Sequence, residues 1–209
     1  MRYKVLLVIS LALGLCQRSQ ARLPDSWFFR HFSFGMEWGY TQCFWQSRNY
    51  NIVSEEGYRI YEKDKDLYFK ANAGWLGQIS FQPYEKLVLG LYGGYVGMGR
   101  DNRTLPLLLR ASYFPHSAWD DGWFGFAQGG PAFHFRNQST RQPWLVSAGA
   151  GWRSCLSYDG RIDLLVSVRY LIDHPMIPDP EGPGYVAPQR ILKNNANCFA
   201  LDISMEISF

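Results

Sequence analysis

The sequence predicts an all-β chain: a closed eight-stranded antiparallel up-and-down transmembrane β-barrel behind a cleaved leader. Three observations predict it. Apolar and small or polar residues alternate with period two through eight segments. The chain is 17% aromatic and 47% hydrophobic, yet its mean hydropathy is −0.22 and 19% of it is charged. The connections also alternate in length. So much apolar surface excludes disorder. Past the N-terminus no run approaches the roughly 18–20 uninterrupted apolar residues of a spanning helix, so the apolar residues must be concentrated on a face.

Residues 1–21 read as a signal peptide. Arg2 and Lys4 are the basic start, Val5 to Cys16 is a short apolar stretch, and Ser19-Gln20-Ala21 puts small residues where a signal peptidase reads. Cleavage before Arg22 leaves residues 22–209 as one barrel domain. It removes Arg2, Lys4 and Arg18 from 21 basic residues, leaving 18 against 18 acidic, so the formal charge of +3 belongs to the leader. The mature balance points to no nucleic-acid partner.

In the first strand Phe32, Phe34, Met36, Trp38 and Tyr40 alternate with Ser33, Gly35, Glu37, Gly39, Thr41 and Cys43, with a lapse at Gln42 before Phe44. In the second, Leu67, Phe69, Ala71, Ala73, Trp75, Ile79 and Phe81 oppose Lys70, Asn72, Gly74, Gln78 and Ser80. Leu87 to Met98 is Gly-rich and apolar on both faces. Leu105 to Tyr113 alternates around Arg110 and Ser112. Trp123 to Phe135 shifts phase between Phe124 and Phe126 and Phe133 and Phe135, which a bulge at Gly129-Gly130-Pro131 would produce. Trp144 to Trp152 and Ile162 to Ile172 alternate regularly. The last strand reads Phe199, Leu201, Ile203, Met205, Ile207 and Phe209 against Cys198, Ala200, Asp202, Ser204, Glu206 and Ser208.

The turns at 82–86, 115–122 and 157–160 carry Pro, Asp and Gly. Antiparallel strands place these on the side of the termini and put the two long loops, 46–66 and 174–197, on the other. Eight strands enclose an interior only just wide enough for side chains. Gly, Ala, Ser and paired charges fit it, so the rings face lipid. They cluster as two girdles: Phe28, Phe29, Phe32, Phe81, Tyr84, Trp123, Tyr158 and Phe209 toward the termini, and Phe44, Trp45, Tyr68, Phe133, Phe135 and Trp144 toward the loops.

A leader, eight amphipathic strands, short turns on one side and a terminal Phe209 after an alternating apolar strand resemble the small OmpA/OmpX-like outer-membrane β-barrels of Gram-negative bacteria. The resemblance covers nearly all of the mature chain. It implies an outer-membrane location with both termini periplasmic and outer-membrane lipid around the wall. It also implies that the barrel-assembly machinery reads Phe199, Leu201, Ile203, Met205, Ile207 and Phe209. The expected state is a monomer without cofactor or metal.

Inward positions carry Glu37, Lys70, Arg110, Arg153, Asp163, Arg169, Asp202 and Glu206, four acids and four bases. Charges in a narrow low-dielectric lumen must pair, so this set reads as a plug of salt bridges; the rival reading is a narrow gated ion path. Cys43 ends the first strand and Cys198 begins the last, both facing inward on strands that meet at the closure seam. Pairing them sets Phe32 opposite Phe209 and Met36 opposite Met205, which predicts a disulfide in an oxidising compartment. Two small buried thiols are the alternative. Cys155 has no evident partner.

Some small barrels of this kind are lipid A acyl hydrolases or acyltransferases. The only suggestive set here is His31 and Ser33, with Glu206 nearby. It lies at the terminal end and points inward, away from the leaflet such chemistry needs, so the expectation is no enzyme. A soluble periplasmic ligand-binding barrel is the remaining structural rival. Function is expected in the loops, in a structural or adhesive role. Residues 46–66 read as a hairpin prolonging the first two strands, and Pro-rich residues 174–196 as a stiff irregular cap, either one a place for a protein or glycan.

Overall fold

In a computed structural model, residues 31–98, 102–135, 139–156 and 160–209 are described, the side chains of Tyr68 and Asn102 excepted. The leader, Phe28, Phe29 and Tyr158 lie outside the described residues. Eight antiparallel strands close on themselves: β1 (Phe32–Val53), β2 (Arg59–Tyr84), β3 (Leu87–Met98), β4 (Asn102–Tyr113), β5 (Gly122–His134), β6 (Trp144–Cys155), β7 (Arg161–Asp173) and β8 (Ile191–Ser208). Each pairs with its neighbour in sequence, and β1 pairs with β8. Closure gives every strand of the wall a partner on both sides, which hydrocarbon requires, because a free edge there has no water to bond.

The wall is inverted relative to a water-soluble barrel. Phe34, Met36, Leu107, Leu109, Leu164, Val166 and Ile203 are exposed outside, whereas Glu37, Arg110, Asp163, Arg169, Asp202 and Glu206 are buried inside. The outer girdles are present: Tyr84, Trp123 and Phe209 are exposed at the end where the chain terminates, and Phe69, Phe133, Phe135 and Trp144 at the other. Strands β3 to β7 have 12 or 13 residues, the length of a tilted bilayer crossing.

Three strands are longer. β1 has 22 residues, β2 has 26 and β8 has 18, and together they rise past the other five as a three-stranded blade. Its ladder runs from Gln46↔Asp66 to Val53↔Arg59 on one side of β1 and from Gln46↔Cys198 to Ile52↔Ile191 on the other. The expected hairpin in 46–66 is therefore real, turning at Glu55-Glu56-Gly57, where Gly57 has φ 87°, a conformation that favours glycine. The expected cap in 174–196 needs correction: residues from Ile191 onward are strand, because the prolonged β1 supplies a partner for them.

Two further expectations fail for stated reasons. β5 holds one phase and one register with both neighbours, with no bulge at Gly129-Gly130-Pro131. Phe124 and Phe126 are buried inside the lumen, while Phe133 and Phe135 face out. The irregularity lies instead in β1 between Cys43 and Trp45. There Phe44 and Trp45, consecutive residues, both reach the ring of Phe199 at 6.0 and 6.2 Å, the re-aiming a bulge allows. The seam register is also two residues from expectation: Met36 faces Ile207, Cys43 faces Ala200, and Phe34 exchanges backbone hydrogen bonds with Phe209.

Candidate functional site

The lumen fills in layers. At the terminal end the connection after β4 folds into the mouth, its Phe114 and Ala118 buried and held by backbone bonds from Phe114 to Lys86 and Ala118 to Glu85. Phe114 stacks on Phe124 at 4.7 Å. Arg153 lies over Phe114 at 4.3 Å, grips Asp163 through Nε and Nη2 at 2.8 and 2.6 Å, and donates Nη1 to the Ala118 carbonyl at 2.9 Å. Such a two-pronged pair is the strongest form of the contact. Inward glycines make room for the rings: a Cβ at Gly151 would lie 2.5 Å from Phe124 Cζ, and one at Gly90 2.5 Å from Tyr92 Cε2.

Arg110 occupies the centre. Its Nη2 donates to Glu37 at 2.5 Å, Nη1 to Glu206 at 2.9 Å and Nε to Gln128 at 2.7 Å. Tyr92 and Phe126 flank its guanidinium with ring centroids at 3.9 and 4.6 Å. Glu206 also accepts from Gln78 at 2.8 Å and from the Tyr92 hydroxyl at 3.0 Å. One level higher, Arg169 bridges Asp202 at 2.9 Å and Glu37 at 3.3 Å, and Thr41 donates to Asp202 at 2.7 Å. A void of about 10 Å³ lies between Arg110, Arg153 and Glu206, scarcely the room one water needs.

Above the ions the lumen is lined by apolar side chains. Leu76, Val96, Met98, Leu108, Leu145 and Leu171 meet Cys43 and Cys198 there, all 1% exposed or less. The Cys43 and Cys198 sulfurs are 2.7 Å apart, both free thiols.

Seven of the eight expected lumen charges thus meet in ion pairs: Glu37, Arg110, Arg153, Asp163, Arg169, Asp202 and Glu206. Lys70 does not join them. It faces Cys43 in the ladder, at the height of the apolar layer, and is only partly buried. The base that sequence reading missed is Arg161, buried and lying 4.3 Å from the Trp119 ring. Its place two residues before Asp163 on the same face was the available signal. Of the His31, Ser33 and Glu206 set, both Glu206 oxygens accept hydrogen bonds, from Gln78, Tyr92 and Arg110, and His31 packs beside Phe81 at 6.3 Å.

At the loop end, Ile177 and Val186 pack on Ile52 with Tyr50, Ile60 and Ile191 around them. Arg190 locks this cap to the hairpin. It donates to the Val53 carbonyl at 2.7 Å, to Asp179 at 3.0 Å and to Glu181 at 2.9 Å. Glu181 in turn accepts from the Glu55 backbone N–H at 2.8 Å and from the Tyr58 hydroxyl at 3.0 Å. Chiefly the Glu55 N–H, with Tyr58 and Arg190 adding, holds the Glu181 carboxyl below the usual carboxylate range. Beside the cap a polar cleft of about 410 Å³ is lined by Thr140, Arg141, His174, Lys193, Asn194 and Asn195.

No protein-family model and no curated protein matches the sequence. Solved structures to which the chain is similar include three barrels. The N-terminal β-barrel domain of Pseudomonas aeruginosa OprF is 12% identical over 85% of this chain and 97% of that one, with a TM-score of 0.42. The outer membrane protein OprG from Pseudomonas aeruginosa is 9% identical over 86% and 96%, with a TM-score of 0.46. Ail, the attachment invasion locus protein of Yersinia pestis, solved with the heparin analogue sucrose octasulfate, is 12% identical over 86% and 99%, with a TM-score of 0.35.

Proposed function

We propose that this chain is a monomeric outer-membrane barrel of a Gram-negative bacterium, its termini periplasmic, its lumen a structural plug and its activity binding at the loop end. The observation that carries this reading is the division of labour along the barrel axis. Buried ion pairs and an apolar layer occupy the lumen in series, while the blade and its docked cap build a shaped surface beyond the girdle. Loops on a rigid scaffold are where binding sites are commonly found. The leader in residues 1–21 and the alternating strand ending in Phe209 support export and insertion by the barrel-assembly machinery.

A protein or glycan is the expected partner at residues 46–66 and 174–196. The test displays the chain on cells and probes it with a glycan array and immobilised extracellular-matrix proteins. Replacing 47–65 and 175–190 by short turns should abolish capture while heat-modifiable migration of the barrel persists. Capture that survives the replacement would place the activity elsewhere. A chain that partitions into water without detergent would overturn the membrane reading itself.

A further inference from the structure

The ladder between β7 and β8 stops at Asp173↔Ala196, whereas β8 runs on to Ile191 along β1. Thr140 and His174 meet the open side of that extension at Asn194, and the polar cleft of about 410 Å³ lies there. Its walls are tied together. The amide of Asn194, a buried side chain, donates to the Pro175 carbonyl at 2.6 Å and to Thr140 Oγ1 at 3.3 Å. Thr140 donates its N–H and its hydroxyl to the His174 carbonyl at 2.8 and 3.0 Å. Small-molecule sites are largely pre-formed concavities of roughly 300–1,000 Å³ with a few placed polar groups, and this cleft has that size and that bracing.

Its free charge is of one sign. Arg141 lines it from the β5–β6 connection and Lys193 from β8, and no acid is among the described residues around it. Neither base forms an ion pair with another described residue. The neighbouring acid, Asp173, is engaged elsewhere: it accepts from Ser139 at 2.8 Å and from the His174 N–H at 2.7 Å, and lies 3.0 Å from His134 Nε2. His174 donates through Nδ1 to the Asn194 carbonyl, which can only accept, so Nε2 is left an acceptor. Lys193 alone would serve to guard the open β8 edge; Arg141 lies on a connection and has no edge to guard.

The height of the cleft separates it from the bilayer. Lys193 stands six residues before Phe199 in β8, and Phe199 is the ring that Trp45 and Tyr170 join at 6.2 and 4.9 Å. Six residues of strand are about 20 Å, or about 14 Å of height at a 45° tilt, against roughly 5–8 Å for the headgroup layer on one side of a membrane. A ligand there arrives from solution.

We propose that this cleft binds one acidic sugar residue, its carboxylate held by Arg141 with Lys193 beside it and its hydroxyls by His174 and Asn195. A planar carboxylate matches two parallel N–H groups of an arginine. Pro188, Ile191 and Leu192 in the lining give the apolar face of the sugar ring a surface. Two cations suit a unit of single charge, whereas a polysulfated chain would keep most of its charge outside. The inference rests on the loop-end binding reading above and names its ligand class.

The test is a saturation-transfer NMR titration of the full mature chain in neutral detergent. The probes are methyl β-glucuronide, methyl β-glucoside, glucose 6-sulfate and acetate. The glucuronide should bind about tenfold or more tighter than the other probes. R141Q should lose about tenfold to a hundredfold of that affinity, the range of one charge-assisted hydrogen bond; R141K should lose less, and K65Q on the far edge of the blade nothing. Equal binding of glucuronide and glucoside overturns the proposal, as does equal binding by wild type and R141Q or the absence of glucuronide binding. Acetate or the sulfate ester binding as tightly as the glucuronide would assign the cleft to a bare anion or a sulfate and overturn it too. Glycan-array capture that is lost on replacing 175–190 but kept by R141Q/K193Q overturns the cleft alone, and capture that survives both removes the reading beneath it. Heat-modifiable migration of each variant reads the fold separately.

Discussion

Cys43 and Cys198 bring their sulfurs to 2.7 Å although the residue facing Cys43 across the seam is Ala200. The contact is diagonal, which two inward residues on adjacent antiparallel strands reach when their positions differ by two. It joins the first strand to the last at the point where the barrel closes. In an oxidising export compartment the two thiols are expected to pass two electrons and two protons to a disulfide-bearing oxidase and become a disulfide. Peptide mapping under non-reducing conditions should recover residues 43 and 198 linked and Cys155 alkylated. Recovery of both 43 and 198 as alkylated thiols contradicts this.

Arg110 holds two carboxylates, so its loss leaves Glu206 without an ion-pair partner among the described residues and Glu37 with Arg169 alone. Arg110→Met is expected to destabilise the barrel by about 3–5 kcal/mol, measured by urea unfolding in lipid vesicles. Adding Glu37→Gln and Glu206→Gln should recover much of that loss, because the cost lies in buried unpaired charge. A single variant as stable as the wild type would mean that the ion pairs do not organise the lumen.

Arg190→Ala removes the donors that fasten the cap to the Val53 carbonyl, Asp179 and Glu181. Hydrogen-exchange protection of residues 177–187 should fall by about tenfold or more, since charge-assisted bonds contribute about 1.5–3 kcal/mol each. The midpoint of whole-barrel unfolding should not move. A shift of that midpoint with cap protection intact would contradict the assignment of Arg190 to the cap alone.

Acid should release the same cap. Glu181 is depressed in the docked state, so its contribution is present above the ordinary carboxylate value and is lost as pH falls through the depressed one. Limited proteolysis within residues 179–185 should stay slow at neutral and mildly acidic pH and accelerate only below the usual carboxylate range. Glu181→Gln should cleave readily at neutral pH. Release that begins at or above the ordinary range would contradict the sign.

Much of the fold was legible because period two is a direct imprint of wall geometry. Phe34 to Tyr40 and Phe199 to Ile207 read as lipid-facing, and Glu37, Asp202 and Glu206 as inward, and they are so placed. The failures came where size misled polarity. Phe124 and Phe126 looked like wall residues and forced a phase slip on β5, yet they line the lumen because Gly151 and the folded-in Phe114 leave them space. Lys70 shares the inward phase but lies at the height of the apolar layer, a coordinate that alternation does not encode. The seam register was missed by two residues because Cys43 and Cys198 meet on a diagonal, with Ala200 facing Cys43, whereas the expectation set the two cysteines directly opposite. The strand from Ile191 was hidden by the prolines before it, and only the length of β1 explains it.

Single-channel recording of the purified mature chain in a planar bilayer addresses the central claim most directly, because an ion path and a filled lumen differ there without reference to any partner. Ion pairs around Arg110 and Arg169 capped by Leu76, Leu108, Leu145 and Leu171 predict a silent bilayer at every voltage it withstands, with insertion verified by protease protection. Reproducible unitary conductance steps from the wild-type chain would contradict it.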